Sequence, residues 1–172
     1  MKHLIAAALT AVLAVPAAAE SVADLSDTQF AHAAYVADNI DIQYAHLAMA
    51  LGSAPEVKAF AQTMISDHNA VNAAALELLA KLGADPEDNF LSQKLASDAE
   101  GIVDRLASLR GAEFDRAYAE NELAYHQAVN HLVETAFIPN IDHPEVKALF
   151  EQGLEIFKQH EAHAQKLVEA VQ

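Results

Sequence analysis

The sequence predicts an all-α protein, and three observations carry this prediction. Residues that favour helices (Ala, Leu, Glu, Gln and Lys) dominate the chain, which holds only five Gly and five Pro in 172 residues. No stretch alternates apolar and polar residues with a period of two, as a half-buried strand would. Capping residues and helix-ending glycines divide the chain into a small number of long helical segments.

The first 19 residues are predicted to be a secretory signal peptide. Lys2 gives a basic start, residues 4–15 are apolar, and small residues follow at Ala17, Ala18 and Ala19. The apolar run is too short to cross a bilayer as a stable helix, which needs about 20 residues. We therefore expect one domain over residues 20–172, exported and soluble in a bacterial periplasm, with no membrane span in the mature chain.

The composition excludes several classes of function. The formal net charge is −15 at pH 7, from 10 basic and 25 acidic residues. Nucleic acids and anionic membranes are bound through clustered Lys and Arg, so neither is expected as a partner. The chain has no Cys, which excludes thiolate metal ligands and a Cys nucleophile. A metal ion would have to be bound by His, carboxylate, Met or backbone oxygen.

Five helices are predicted, here called A, B, the intermediate helix, C and D. Their expected spans, in that order, are residues 28–51, 54–82, 91–109, 112–136 and 144–171. Three helix starts carry the pattern of a capping box, in which two residues bond each other's backbone: Ser26 with Gln29, Ser53 with Glu56, and Asp142 with Glu145. Gly83 ends helix B, and Gly111 follows the intermediate helix.

The order of the helices predicts two helical hairpins. Short turns join A to B and C to D, and the two pairs are connected by residues 83–110, which include the intermediate helix. Helices B and D open with similar segments, APEVKAF at 54–60 and HPEVKAL at 143–149. Two hairpins joined by a long crossover form the ferritin-like four-helix bundle. We therefore expect that fold, with an extra helix in the crossover and both short loops at one end.

Three histidines interrupt the apolar stripes of three different helices. They are His68 in helix B, His126 in helix C and His160 in helix D. A buried imidazole requires a polar partner. The helical rise of about 1.5 Å per residue places these rings, together with Asp41 of helix A, at overlapping depths of about 15–24 Å from the shared loop end. One inward residue per helix at a similar depth is typical of metal sites in helix bundles, so the pattern predicts such a site.

Asp41 and Met64 are the two candidates for a fourth ligand. Asp41 borders the apolar stripe of helix A, and Met64 lies four residues before His68 on the same face of helix B. Both also have an ordinary structural interpretation. Asp41 would then be a carboxylate satisfied by water or by a histidine, and Met64 would be part of the core.

Three further residues are weaker candidates. Glu122 lies four residues before His126 and is placed to chelate with it, although a solvated carboxylate at the flank of helix C is the alternative. Asp67 is expected to orient an imidazole ring from outside the ligand set. His163 lies one turn after His160, at the edge of the stripe of helix D.

Three imidazoles and a carboxylate suit copper, zinc or mononuclear iron. The thioether of Met64 favours copper, so the expected order is copper, zinc, iron. A ferritin-type di-iron centre needs two E-x-x-H motifs, and the sequence contains none. The expected function is therefore the binding of one transition metal, for metal handling or protection from redox stress.

Two alternatives remain open. The first is a metal-free structural or interaction bundle of the cell envelope, whose core histidines are bonded to Asp41, Tyr44 or Tyr125. The second is a di-iron ferritin-like oxidase with two metals per chain. If the protein is an enzyme, we expect a metal-dependent oxidoreductase, but no catalytic residue or substrate is identified. A homodimer is compatible with the sequence.

Three segments resemble a family of exported bacterial proteins grouped as domain of unknown function 4142. They are PEVKAFAQTMISDH at 55–68, GAEFDRAY at 111–118 followed by His126, and KQHEAHA at 158–164. The resemblance covers about residues 28–167 and implies a ferritin-like bundle with an extra helix in the crossover. It also implies that the following residues match the family pattern: Met64, Asp67, His68, His126 and His160, with Asp41 where an acidic residue is common. Three residues depart from that pattern: Gln43, His46 and Glu122.

Overall fold

A computed structural model describes residues 21–172, and within this range the chain forms five α-helices and no strand. The helices are α1 (Asp27–Leu51), α2 (Pro55–Lys81), α3 (Phe90–Ser108), α4 (Gly111–Leu132) and α5 (Pro144–Ala170). A π-helical turn, Val133–Phe137, continues α4. The all-α prediction is confirmed, and helices A, B, the intermediate helix, C and D correspond to α1–α5. The predicted signal peptide, residues 1–19, lies outside the described residues.

The first predicted capping box is present and the second is not. At the start of α1 the Ser26 hydroxyl accepts from the Gln29 N–H, and the Gln29 side chain accepts from the Ser26 N–H. The capping box predicted at Ser53 with Glu56 was wrong, because α2 begins one residue later, with Ala54 as its N-cap and no side-chain bond. The Ser53 hydroxyl instead donates to the carboxylate of Asp115 in α4.

The third predicted capping box, Asp142 with Glu145, was also wrong. His143 is the N-cap of α5, and its Nδ1 accepts from the Glu145 N–H at 3.3 Å. Asp142 precedes the N-cap by one residue, so its side chain is not the one that caps the helix. The N–H groups of Asp142 and His143 donate to the carboxylate of Asp27, at 3.0 and 2.8 Å. These bonds attach the α4–α5 loop to the start of α1.

Four of the helices form a closed ring. Helix α1 packs against α2, α2 against α5, α5 against α4, and α4 against α1. Helix α3 packs on α1, outside this ring. The four helices of the ring therefore enclose one interior. None of the helices within residues 21–172 is both long and apolar enough to cross a membrane.

The two short connections lie at opposite ends of the bundle, contrary to the sequence-based expectation. The N–H groups of Ser53 and Ala54 in the α1–α2 turn donate to Asp115 at the start of α4, at 2.9 and 3.0 Å. The α4–α5 loop bonds to Asp27 at the other end. The reason is that α3 runs back along the bundle, so α4 starts beside the α1–α2 turn. Measured from that end, the three histidines and Asp41 still lie at similar depths of about 15–22 Å.

A buried polar layer divides the apolar core into two clusters. One cluster contains Tyr44, Phe60 and Phe114 and lies towards the α1–α2 turn. The other contains Phe30 and Phe137 and lies towards the α4–α5 loop. Apart from Asp115 at the start of α4, the buried polar residues of the four ring helices lie between them along the chain: Asp38, Asp41, His68, Asn72, Glu122, His126, Asn130 and His160.

Candidate metal centre

His68, His126 and His160 are buried in this polar layer with their rings close together. Their exposed fractions are 3, 2 and 4 %. The three ring centroids are 5.3–5.8 Å apart in pairs. One nitrogen from each ring lies within 4.8 Å of the corresponding nitrogens of the other two. The structure thus brings together the three histidines that the sequence placed on separate helices.

Each of these rings has one nitrogen bonded to a neighbour and one without a hydrogen-bond partner. The bonded nitrogens donate as follows: His68 Nδ1 to Asp38 Oδ1 (2.8 Å), His126 Nδ1 to the Glu122 carbonyl (2.9 Å) and His160 Nε2 to Asp67 Oδ2 (3.0 Å). Carboxylates and carbonyls only accept, so in the neutral form of each ring the bonded nitrogen carries the hydrogen and the other has a free lone pair. The free nitrogens are His68 Nε2, His126 Nε2 and His160 Nδ1, all buried.

The carboxylate of Asp41 approaches two of the three rings from α1. Asp41 is fully buried, and neither of its oxygens has a hydrogen-bond partner. Its Oδ2 lies 3.6 Å from both His68 Nε2 and His126 Nε2. Ligands on a tetrahedral ion with bonds of about 2.0–2.1 Å are about 3.3 Å apart. The separations of Asp41 from these two rings are therefore close to those of a ligand set, although its ligand atoms group with Glu122 and His126 and not with all three histidines.

Glu122 lies beside the histidine cluster and is fully buried, so its interpretation as a solvated carboxylate was wrong. Together with Asp41 and His126 it forms a second group whose ligand atoms lie within 4.8 Å of one another. The Nδ1 of His126 donates to the Glu122 carbonyl, which leaves only Nε2 to bind a metal. One lone pair serves one ion, so the two groups compete for His126.

The remaining predicted residues lie in three different environments. Asp67 is partly exposed and its Oδ2 accepts a hydrogen bond from His160 Nε2, and its role in orienting that ring stays a prediction. Met64 is fully buried one turn before His68, within the apolar cluster nearer the α1–α2 turn, and its role as a ligand stays a prediction. His163 is exposed, its ring packs edge-on against Phe60 at 4.9 Å, and it belongs to neither group.

Asp38 is the residue that sequence reasoning missed. It is 5 % exposed and accepts from His68 across the α1–α2 interface. The sequence did contain a signal for Asp38: it lies three residues before Asp41, and residues with this spacing share a helix face. One turn of α1 thus carries two carboxylates with different tasks: Asp38 orients a ring, and Asp41 faces the free nitrogens.

Burial keeps two of the three imidazoles neutral. It lowers the pKa of His160 to about 4, although the bond to Asp67 opposes this effect, and the neighbouring histidines lower the pKa further. Burial also lowers the pKa of His126, despite the opposing carboxylate of Asp41. A neutral imidazole is the form that binds a metal, so these two rings are already in that form near neutral pH.

The pKa values of His68 and Glu122 are raised instead. Burial by itself lowers the pKa of His68, but the carboxylates of Asp41 and Asp38 outweigh it, and the pKa is raised on balance. Burial and the neighbouring Asp41 raise the pKa of Glu122 well above its ordinary value. Without a cation, the protonated forms of His68 and Glu122 are favoured, which limits the negative charge in the interior. A bound cation would instead favour the neutral imidazole and the ionised carboxylate.

Polar atoms without partners are concentrated in this layer. Besides the free nitrogens and Asp41, both carboxyl oxygens of Glu122 and the hydroxyls of Tyr44 and Tyr118 are buried and have no partner. Each such group destabilises a folded protein by about 1–3 kcal/mol. A cation bound to the free nitrogens and the carboxylate would satisfy several of them at once.

A helical bundle with a buried cluster of histidines and carboxylates defines the class to which this protein belongs. Residues 12–167 match the model of the family described as "Domain of unknown function (DUF4142)", so the chain belongs to that family, as the resemblance predicted. No curated protein and no solved structure matches the chain. Of the departures from the family pattern, Gln43 and His46 are exposed, whereas Glu122 lies inside the cluster.

Proposed function

We propose that this protein is an exported, ferritin-like four-helix bundle that binds one transition metal ion in its interior. His68, His126 and His160 would supply three nitrogens, and Asp41 would supply the fourth ligand. The observation that carries the proposal is the arrangement of the three rings. Each is fixed by a hydrogen bond at one nitrogen and has a second, buried nitrogen without a partner, and one nitrogen of each ring lies within 4.8 Å of the others. This combination is typical of histidine metal ligands.

The metal-free alternative agrees less well with these contacts. A bundle whose histidines serve only structure should satisfy its buried nitrogens with hydrogen bonds. The 3.6 Å separations from Asp41 are too long for that, and none of the free nitrogens is bonded to a tyrosine. The hydroxyl of Tyr125 instead donates to the Ala37 carbonyl at 2.9 Å, and that of Tyr44 has no partner.

The shared ligand supports one ion rather than two. A di-iron centre would require separate ligands for each iron, with carboxylates in the majority. Here the histidine group and the carboxylate group both depend on the single free nitrogen of His126. The di-iron oxidase is therefore the less favoured of the metal-binding alternatives.

The proposed metals, in order, are copper, zinc and iron. Three imidazoles and a carboxylate suit all three, and a thioether ligand from Met64 would select copper in its reduced state. The proposed role is metal handling in the periplasm or protection from redox stress. If the protein is an enzyme, it would be an oxidoreductase that uses an open position on the metal.

The test is metal analysis of untagged mature protein purified from periplasm, by mass spectrometry. The wild type should hold about one equivalent of a transition metal, and a variant with His68, His126 and His160 all replaced by Ala should hold none. His131→Ala is the matched control, because His131 is an exposed histidine of α4.

A second measurement separates loss of metal from loss of fold. Circular dichroism should show a helical triple variant, and only the wild type and the control should gain stability on addition of copper or zinc. A hundredfold excess over Kd corresponds to about 2.7 kcal/mol. Wild-type protein that binds no metal after reconstitution, and gains no stability from it, would overturn the proposal in favour of the metal-free bundle.

A further inference from the structure

An apolar cavity lies beside the histidine cluster, between α1, α2, α4 and α5, and Leu95 of α3 also lines it. Its volume is about 50 Å³. Its walls are formed by alanines of α1 and by apolar residues of the other helices, among them Val71, Val133, Gly153 and Phe157. Among residues 21–172, Asp38 is the only polar residue in the lining. The cavity belongs to the half of the bundle towards the α4–α5 loop.

Two residues join this cavity to the proposed metal centre. Phe157 lines the cavity, and its ring stacks on that of His68 with the centroids 4.8 Å apart and the planes 11° apart. Asp38 lines it as well and accepts the hydrogen bond from His68. A single layer of side chains therefore separates the cavity from His68. The π-helical turn after α4 supplies Val133 and Phe137 to the wall, and such turns are frequent near functional sites.

Gly153 contributes to this space, and neither its backbone conformation nor its neighbours require a glycine at this position. It is buried in the interior of α5, where Gly weakens a helix relative to Ala. Its φ is not positive, so the backbone does not require Gly. An added Cβ would meet Phe157 at 3.7 Å and Val71 at 3.9 Å, which are ordinary contacts, so close packing does not require it either. What Gly153 provides is room in the cavity.

We propose that this cavity binds a small apolar molecule of the size of dioxygen, immediately beside the metal centre. Cavities that hold a benzene ring have volumes of about 150 Å³, so an aromatic ligand is too large. A polar ligand would lose its hydrogen bonds to water and find one polar side chain. An ordered water needs two to four polar partners, which this wall does not offer. A dissolved diatomic gas meets both requirements of size and polarity.

Binding in the cavity does not depend on the metal, although its use in metal chemistry rests on the proposed function. The test therefore uses xenon, an apolar probe, on both metal-free and metal-loaded mature protein. Methyl NMR spectra recorded under xenon pressure should show saturable shifts for Val71, Val133 and Leu154, which line the cavity. Dioxygen, which is paramagnetic, should enhance the relaxation of the same methyl groups.

The decisive variant is Gly153→Ala, which places a methyl group in the cavity. It should weaken xenon binding at least tenfold. Gly101→Ala is the matched control, because Gly101 lies inside α3 and a Cβ there meets nothing within 4 Å. Both variants should raise Tm, since both replace Gly by Ala in a helix, but only the first should lose xenon.

Two results would overturn the inference: no xenon binding to the wild type, or equal binding to the wild type and Gly153→Ala. Either result would leave the proposed function intact if metal analysis finds the ion. Conversely, xenon binding to a protein that takes up no metal would overturn the proposed function and leave the cavity as an independent ligand site.

Discussion

Replacing His160 with Gln should make the stability of the metal-free protein less sensitive to acid. Burial lowers the pKa of this ring from 6.5 to about 4 in the folded protein. Between these values the unfolded chain binds a proton that the folded protein does not. Stability contributed by the neutral ring is therefore complete above the unfolded pKa and is lost as the pH falls towards the folded one.

The size of the effect follows from the displacement of the pKa. A tenfold change in proton affinity corresponds to about 1.4 kcal/mol, so the interval between 6.5 and about 4 corresponds to about 3 kcal/mol. The ring is 4 % exposed, but its partner Asp67 is partly solvated, which makes this value an upper bound. Between pH 6.5 and about 4, the free energy of unfolding should therefore fall more for the wild type than for the variant. The difference between the two decreases should be at most about 3 kcal/mol.

The assay is urea unfolding followed by circular dichroism, with chelator present, at several pH values between about 4 and 7. His163→Gln is the matched control, because His163 lies on the same helix, three residues later, and is exposed. The control should follow the wild type at every pH. The reasoning is refuted if His160→Gln also follows the wild type, or if the control flattens the pH profile equally.

Three further predictions test other contacts. Asp67→Ala should weaken metal binding about 10–100-fold in a direct titration while the fold persists, because it removes only the group that orients His160. Asp115→Ala should lower the free energy of unfolding by about 2 kcal/mol in urea, because it strands two partly buried backbone N–H groups of the α1–α2 turn. Tyr118→Phe should raise it by about 1 kcal/mol, since its buried hydroxyl has no partner, whereas Tyr125→Phe should lower it by about 1 kcal/mol through loss of a bond to α1. Equal effects of the two Tyr variants would contradict the assigned hydrogen bonds.

The helices could be predicted from the sequence because their signals are local. Apolar periodicity gave the five spans, and the capping box at Ser26 was confirmed because both partners lie within one turn. The capping boxes proposed at Ser53 and Asp142 failed for a non-local reason. Ser53 bonds to Asp115, which lies far along the chain, and the loop before α5 is bonded to Asp27. A local pattern cannot show that a distant carboxylate uses these groups.

The residues of the candidate site also separate into those with a local signal in the sequence and those that depend on packing between helices. Polar residues within apolar stripes identified His68, His126 and His160, because a break in periodicity is visible in each helix separately. Asp38 was missed, since it becomes buried only through packing against α2. The predicted position of the short loops was also wrong, yet the three histidines and Asp41 still lie at similar depths in the bundle. Residues near the middle of a long helix lie near the middle of the bundle whichever end is chosen.

The polar layer itself is the strongest argument for a ligand. A bundle selected only for stability would fill these positions with Leu or Val, as the apolar clusters on both sides do. Instead each helix of the ring places at least one ionisable residue there, and several of their polar atoms are buried without a partner. Departures from the rules of core packing that meet at one point from four separate helices are characteristic of functional sites. Three of them are imidazoles held in orientation by other residues, which favours a bound metal over a polar ligand.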